Sequence, residues 1–345
     1  MYSHTAREIQ AAVVAATRES QRLKTTRQQR VDIFTIIEEA GIWLLFEDLQ
    51  SLYGYYVRAG DSIGIALNAK HPLYLQRSTA AHEYGHHVLN HAVSFDKADQ
   101  IEPGRPTDDP KELAAQTFAA HFLMPLQLVN ATLLRMGLTT TPSTMMPQQA
   151  YRFALELGVS YAAAVSHLMN VKKITPAVAR SLREVEPRDI KTLIGQGARP
   201  ADSWADVWVV DKSSHGHVLY PRVNDEIHVS LEEDTDDTTA WILTMPINVD
   251  LRGVERPIEP SAYDADFGLL RDDIETIAHP PSVGRPQYIR RLVYQVLRSG
   301  RTVVRLEQRS VASANTPRHA TVELSLETSP KRTGMATRGL SIHQR

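Results

Sequence analysis

The chain has 345 residues, of which 42% are hydrophobic and 23% charged, an ordinary mix for a folded protein and too long for one typical core, so two or three domains are expected. It has no cysteine, which excludes disulfides and thiolate ligands and leaves His, Asp and Glu to hold any metal. The formal net charge of −2 hides an asymmetry: residues 1–284 carry 26 Lys+Arg against 37 Asp+Glu, whereas residues 285–345 carry 12 against 3.

No apolar run approaches the roughly 18 residues of a membrane span. His4, Arg7 and Glu8 break up the N-terminus, so a secretory leader is not expected and the chain reads as cytoplasmic. Ile9, Ala12, Val13 and Ala16 recur at helical spacing within residues 5–24, and Val31, Phe34 and Ile37 predict a second helix ending at Gly41. Three strand-like runs follow, Ile42–Phe46, Tyr53–Val57 and Ile63–Asn68, which suggest a small sheet packed on helices.

The sequence His82-Glu83-Tyr84-Gly85-His86 comes next, inside a helix expected to start near Ser78 and end near Asn90. Residues four apart share a helix face, so His82 and His86 can converge on one metal ion, and the H-E-x-x-H spacing is that of zinc peptidases. Glu83 lies beside them as the candidate general base, taking a proton from the attacking water and handing it to the leaving amine. Zinc, or manganese in its place, supplies the Lewis acidity at neutral pH.

Two histidines leave such a site incomplete, since catalytic zinc usually has three protein ligands. The continuation that would supply a third histidine is missing, so a carboxylate on a second helix is needed. Glu112 opens a predicted helix over Lys111–Met124, closed by Pro125, but Glu102, Asp108 and Asp109 are nearby and spacing alone does not choose among them. The intervening Asp96–Pro110 reads as a loop. His87 and His91 fall off the face of His82 and His86 and read as structural; His121 should face away from Glu112. Tyr74 and Tyr84 are candidate hydroxyl donors to a tetrahedral intermediate.

Further on, two short helices within Gln148–Asn170 meet at Leu157-Gly158-Val159-Ser160 in a helix-turn-helix-like pattern. The second of them, from Tyr161 to His167, has no Arg or Lys, which speaks against direct DNA binding and for docking of a protein partner. From Trp204 the texture turns to strands at Val207–Val210, His217–Tyr220, Ile227–Leu231 and Trp241–Met245, with an acidic surface loop at Glu232–Asp237 and a late helix at Tyr288–Leu297. His215-Gly216-His217 reads as a surface turn in preference to an effector contact. The basic residues 303–345 read as a solvated, partly disordered tail.

Residues 52–125 resemble the ImmA/IrrE family of gluzincin-like peptidases. The likeness rests on Leu52-Tyr53-Gly54, on Ile63 to Asn68, on Arg77-Ser78-Thr79-Ala80-Ala81 running into His82–His86, on Glu112 to Ala119, and on Leu123-Met124-Pro125. It departs from the family pattern at Gln116, where Asn or Asp is usual, and at Ser78 and Tyr84, which replace apolar residues. The resemblance implies Glu112 as the third ligand with His82 and His86. It also implies a selective endopeptidase that cuts a helix-turn-helix repressor and so derepresses radiation and DNA-damage response genes. It further implies a C-terminal GAF-like sensor for a small-molecule or metal effector. The expected architecture is α+β and multidomain: a zinc peptidase domain at 1–126, a helix-turn-helix-like domain at 127–195, a GAF-like α/β domain at 196–302 and the tail. The alternative is a DNA-binding activator with a structural or sensory metal site, which would have no need of Glu83.

Overall fold

The structure, a computed structural model, describes residues 2–25, 30–91, 108–233, 239–249, 255–257, 267–277, 287–310 and 320–329. They fall into two compact units, one built from Met1–Leu134 and Leu138–Glu184, the other from Val185–Lys331. Among the described residues no single helix is long and apolar enough to cross a membrane.

The first unit opens with α1 (Tyr2–Arg22) and α2 (Ile33–Glu39), whose Ile33, Phe34, Ile36 and Ile37 are buried. Strands β1 (Trp43–Glu47), β2 (Gly54–Ala59) and β3 (Ser62–Asn68) follow. They form a three-stranded sheet in the order β1-β3-β2, with β1 parallel and β2 antiparallel to β3. Helix α3 (Leu73–Val88) starts five residues before the expected Ser78, because Pro72 sets the last extended φ at −64° and Gln76 in the first turn ties back to the Asn68 carbonyl at 3.0 Å. Asn68 itself is fully buried and donates to the carbonyls of Gln50 and Leu52.

Helices α4 (Pro110–Leu123) and α5 (Leu126–Arg135) come next, with Asp109 capping the first turn of α4. Most of the loop expected at Asp96–Pro110 lies outside the described residues. Helix α4 packs on both α1 and α3. At the contact with α3 the chain needs Gly85: a Cβ there would sit 3.0 Å from the Phe118 ring and 3.3 Å from the Ala115 carbonyl.

Helices α6 (Pro147–Leu157) and α7 (Tyr161–Asn170) are the pair expected within Gln148–Asn170, and α8 (Pro176–Arg183) follows them. Gly158 makes the turn at φ 64°, and Ser160 caps α7 by accepting the Ala163 N–H. The expected boundary at residue 126 does not separate two bodies, because these helices share the first unit's core. Buried Arg77 of α3 donates to the carbonyls of Gly158 at 3.1 Å and Val31 at 2.7 Å, and His167 of α7 bonds the Met124 carbonyl at 2.8 Å. Helix α9 (Pro187–Ile194), expected in the same module, belongs instead to the second unit, where Lys191 donates to the Ala205 carbonyl.

The second unit is a two-sheet β structure. Strands β4 (Val207–Val210), β5 (His217–Leu219), β6 (Glu226–Glu233), β7 (Thr239–Val249), β8 (Glu255–Pro257), β9 (Phe267–Ile277), β10 (Gln287–Val296), β11 (Gly300–Ser310) and β12 (Ala320–Thr328) make it up. One sheet runs β4-β6-β10-β9 and the other β5-β12-β11-β7-β8. Alternating inward residues such as Ile227, Val229 and Leu231 on β6 and Val322, Leu324 and Leu326 on β12 fill its core.

Among the described residues of 196–302 the only helix is the three-residue turn Lys212–Ser214, and the regular structure is otherwise strand. Tyr288–Val296 is strand, not helix: β10 pairs with β6 on one side and β9 on the other, and its buried Leu292, Val293 and Val296 stand at spacings that a helix shares. Of the tail expected at residues 303–345, residues 303–310 belong to β11 and 320–328 form β12, while 311–319 and 330–345 lie outside the described residues. Among the described residues Arg305 of β11 pairs across the ladder with Glu323 of β12 at 2.6 Å, and in the other sheet Arg290 pairs with Asp272 at 2.8 Å. His215 and Gly216 form an exposed turn as expected, in which His215 accepts the Glu323 N–H, and His217 starts β5. Of the acidic loop, residues 234–237 lie outside the described residues, while Glu232 and Glu233 end β6.

Candidate metal centre

Helix α3 presents His82 and His86 one turn apart, and α4 brings Glu112 in its first turn against them. The Nε2 atoms of His82 and His86 lie 3.1 Å apart, and Glu112 Oε2 lies 3.1 Å from the first and 3.4 Å from the second. Three lone-pair atoms aimed at one another this closely repel unless a proton or a cation sits among them. A tetrahedral site with bonds of about 2.0–2.1 Å has edges of about 3.3 Å, so the donor set fits a divalent metal in both chemistry and spacing. Among the described residues these three are the His/Cys/Asp/Glu group able to hold such an ion.

The electrostatics point the same way. Burial raises the Glu112 carboxyl, but its pairing with His82 and His86 outweighs that and holds it well below the usual carboxylate range. Burial lowers His86, yet Glu112 and Glu83 together raise it overall. Glu83 stands in the opposite condition. It is only 9% exposed, and burial pushes its carboxyl up against the pull of His82 and His86 and a hydrogen bond from the Tyr56 backbone N–H. A carboxylate raised in this way binds a proton more readily than a free one, as a general base that must later release it requires.

His91 plays a part that helix geometry hid. The helix does not run on to it: α3 ends at Val88, Asn90 adopts φ 54°, and the His91 N–H reaches back to the His86 carbonyl at 2.9 Å. That reversal places His91 Nδ1 2.9 Å from His86 Nδ1. With His91 as acceptor, His86 carries its proton on Nδ1 and leaves Nε2 free to ligate. His82 has no such support, its Nδ1 being buried with no hydrogen-bond partner among the described residues.

The remaining residues sort by position. His87 contacts the Tyr56 hydroxyl at 3.3 Å and stacks on Tyr84, away from the ligands as expected. Tyr84 is not available as a donor at the site, because its hydroxyl donates to Glu19 at 2.5 Å in the core. His121 packs edge-on against His167, ring centroids 4.9 Å apart. Tyr74 stays near the centre: with His82 and Gln116 it lines a cavity of about 120 Å³.

Residues 37–169 match the family model described as the IrrE N-terminal-like domain of peptidase family M78. A search of curated proteins finds no match. Among solved structures, the cysteine protease inhibitor EhICP2 from Entamoeba histolytica is similar at 18% identity and a TM-score of 0.29, over 36% of this chain and 98% of its own. Amebosin is similar at 11% identity and a TM-score of 0.25, over 36% and 98%. Likenesses this slight say nothing about function.

Proposed function

We propose, from the match of residues 37–169 to the IrrE N-terminal-like peptidase domain, that this chain is a metal-dependent endopeptidase that cuts a helix-turn-helix repressor and so releases the damage-response genes that repressor silences. The observation that carries the reading is the convergence of His82, His86 and Glu112 within 3.4 Å, with the buried, upshifted Glu83 beside them. His82, His86 and Glu112 would hold zinc, or manganese in its place. The bound cation supplies Lewis acidity to the scissile carbonyl and to the attacking water.

The chain's own side chains do the rest. Glu83 accepts the proton of the attacking water on its carboxylate and returns it to the leaving amine nitrogen, so the pair of transfers needs no outside base. The Tyr56 N–H holds that carboxylate in place between the two transfers. Glu112 keeps its charge through burial because both imidazoles face it. A purely structural metal site would have no use for an acidic group in the position of Glu83.

The test is cleavage of a candidate repressor by the zinc- or manganese-loaded full chain, with and without chelator, beside Glu83→Gln. Fragments that vanish with chelator and with Glu83→Gln, while that variant still binds metal, are expected. Cleavage that survives in metal-loaded Glu83→Gln overturns the assignment. Sequence-specific DNA retention with no cleavage would favour a transcription activator instead.

A further inference from the structure

The cavity beside His82 is built from the same two helix faces that carry the ligands, one turn further on. Ser78 precedes His82 by one turn of α3, and Gln116 follows Glu112 by one turn of α4. The floor is small and apolar: Ala119, Ala120 and Leu123 come from α4, and Leu75 from α3. The far wall comes from the turn before α7 and from its first turn, through Val159, Ser160 and Ala163. None of the lining residues is Lys, Arg, Asp or Glu.

Resting on the peptidase reading above, we propose that this cavity is the specificity pocket for a medium-sized aliphatic side chain of the substrate, on a residue adjoining the scissile bond. Three features fix that choice. The volume of about 120 Å³ is somewhat below the ~150 Å³ of a dry protein cavity that takes benzene, so Leu, Ile, Val or Met fits and Trp does not. The walls offer no counter-charge, so an acidic or basic side chain would lose its hydration and gain no partner. His82 is at once a lining residue and a ligand, so whatever occupies the pocket lies next to the reacting bond.

The wall on the α7 side is preformed. Arg77 clamps the Gly158 carbonyl, and Ser160 caps the helix through the Ala163 N–H, so Val159 and Ala163 are fixed before any substrate arrives. The helix-turn-helix-like stretch thus contributes to substrate choice from inside the peptidase unit and does not need to read a nucleic acid to do so.

Two measurements decide it. In the first, the metal-loaded full chain digests a peptide mixture prepared by trypsin from a bacterial lysate, with Glu83→Gln as the blank, and mass spectrometry reads the new termini. Leu, Ile, Val and Met are expected to be enriched roughly tenfold or more over Gly, Asp and Lys at one position beside the cut. Ala163→Phe should move the preference to Gly and Ala, and Leu75→Ala should move it to Phe. Cuts that depend on Glu83 but show no preference on either side overturn the pocket and leave the peptidase standing.

The second measurement needs no turnover. N-acetyl-leucine amide and N-acetyl-glycine amide are titrated into the full chain carrying ¹³C-methyl alanine. Shifts at Ala119, Ala120 and Ala163 with the leucine compound alone, lost in Ala163→Phe while the other alanine signals stay in place, support the pocket. No shift at these methyls overturns it, even where the failure of all cleavage has already removed the peptidase reading.

Discussion

Replacing Arg77 with Ala should separate the helix-turn-helix-like stretch from the peptidase core. The guanidinium is 5% exposed and donates at 2.7 Å to Val31, at 3.1 Å to Gly158 and at a marginal 3.5 Å to Leu157. A hydrogen bond from a charged donor is worth about 1.5–3 kcal/mol, so the two firm bonds carry roughly 3–6 kcal/mol. Sparing the desolvation of a buried cation returns part of this, and a net loss of about 3 kcal/mol is a fair expectation. For a unit of this size, each kcal/mol lowers the melting temperature by about 2–4 °C, which gives a drop of about 6–12 °C. Scanning calorimetry of the full chain measures it, and the drop should be confined to the transition of the first unit. Arg77→Lys should recover little, because a single ammonium cannot span carbonyls from two separate segments. A first-unit melting temperature within about 2 °C of wild type in Arg77→Ala would refute the idea that this residue joins the two.

The other expected outcomes concern the metal centre and its supports. Glu112→Ala should abolish cleavage and sharply weaken zinc binding in a chelator competition, because it leaves two ligands; unchanged affinity would remove Glu112 from the site. His91→Ala should cost about 10–100-fold in metal affinity through loss of the acceptor that fixes the His86 tautomer, with His91→Asn restoring part of it; equal affinities in all three proteins would make His91 a bystander. Gly85→Ala puts a methyl 3.0 Å from Phe118, so it should destabilise by about 1–3 kcal/mol and weaken metal binding by pushing α4 and Glu112 away; a stable variant with native affinity would contradict the close packing. Acid should destabilise the first unit through His167. Burial first, and the neighbouring His121 second, lower this imidazole from 6.5 to about 4. A depressed imidazole favours the folded state above its unfolded pKa, and that advantage fades as the pH falls from about 6.5 to about 4. At about 1.4 kcal/mol for each pH unit between the two values, the loss is roughly 3 kcal/mol. His167→Gln, which keeps a donor for the Met124 carbonyl, should flatten the denaturation midpoint over this range; an unchanged slope would show that another group carries it.

The sequence made the ligand pair legible because a helix repeats every 3.6 residues, so two histidines four apart must share a face whatever surrounds them. Glu112 was harder. Its distance from His86 depends on how closely α4 approaches α3, and the signal for that approach is Gly85, which looks like an idle filler inside the motif until the Phe118 contact is seen. His91 was misjudged for the complementary reason: counting residues around a helix fails once the helix has ended, and the left-handed Asn90 folds His91 back over His86. The second unit was the least legible part. Strand identity survives in the alternation of β6, but the buried Leu292, Val293 and Val296 of β10 stand at spacings that a helix shares, and the basic excess beyond residue 284 resembles a solvated tail because partners such as Glu323 and Asp272 lie on neighbouring strands. Periodicity reports which residues face inward together, and a helix end changes that relation without leaving a mark in composition. The residues read correctly are therefore those whose neighbours lie within one turn of regular structure, and those misread are the ones whose partners the chain reaches only after a reversal or across a ladder.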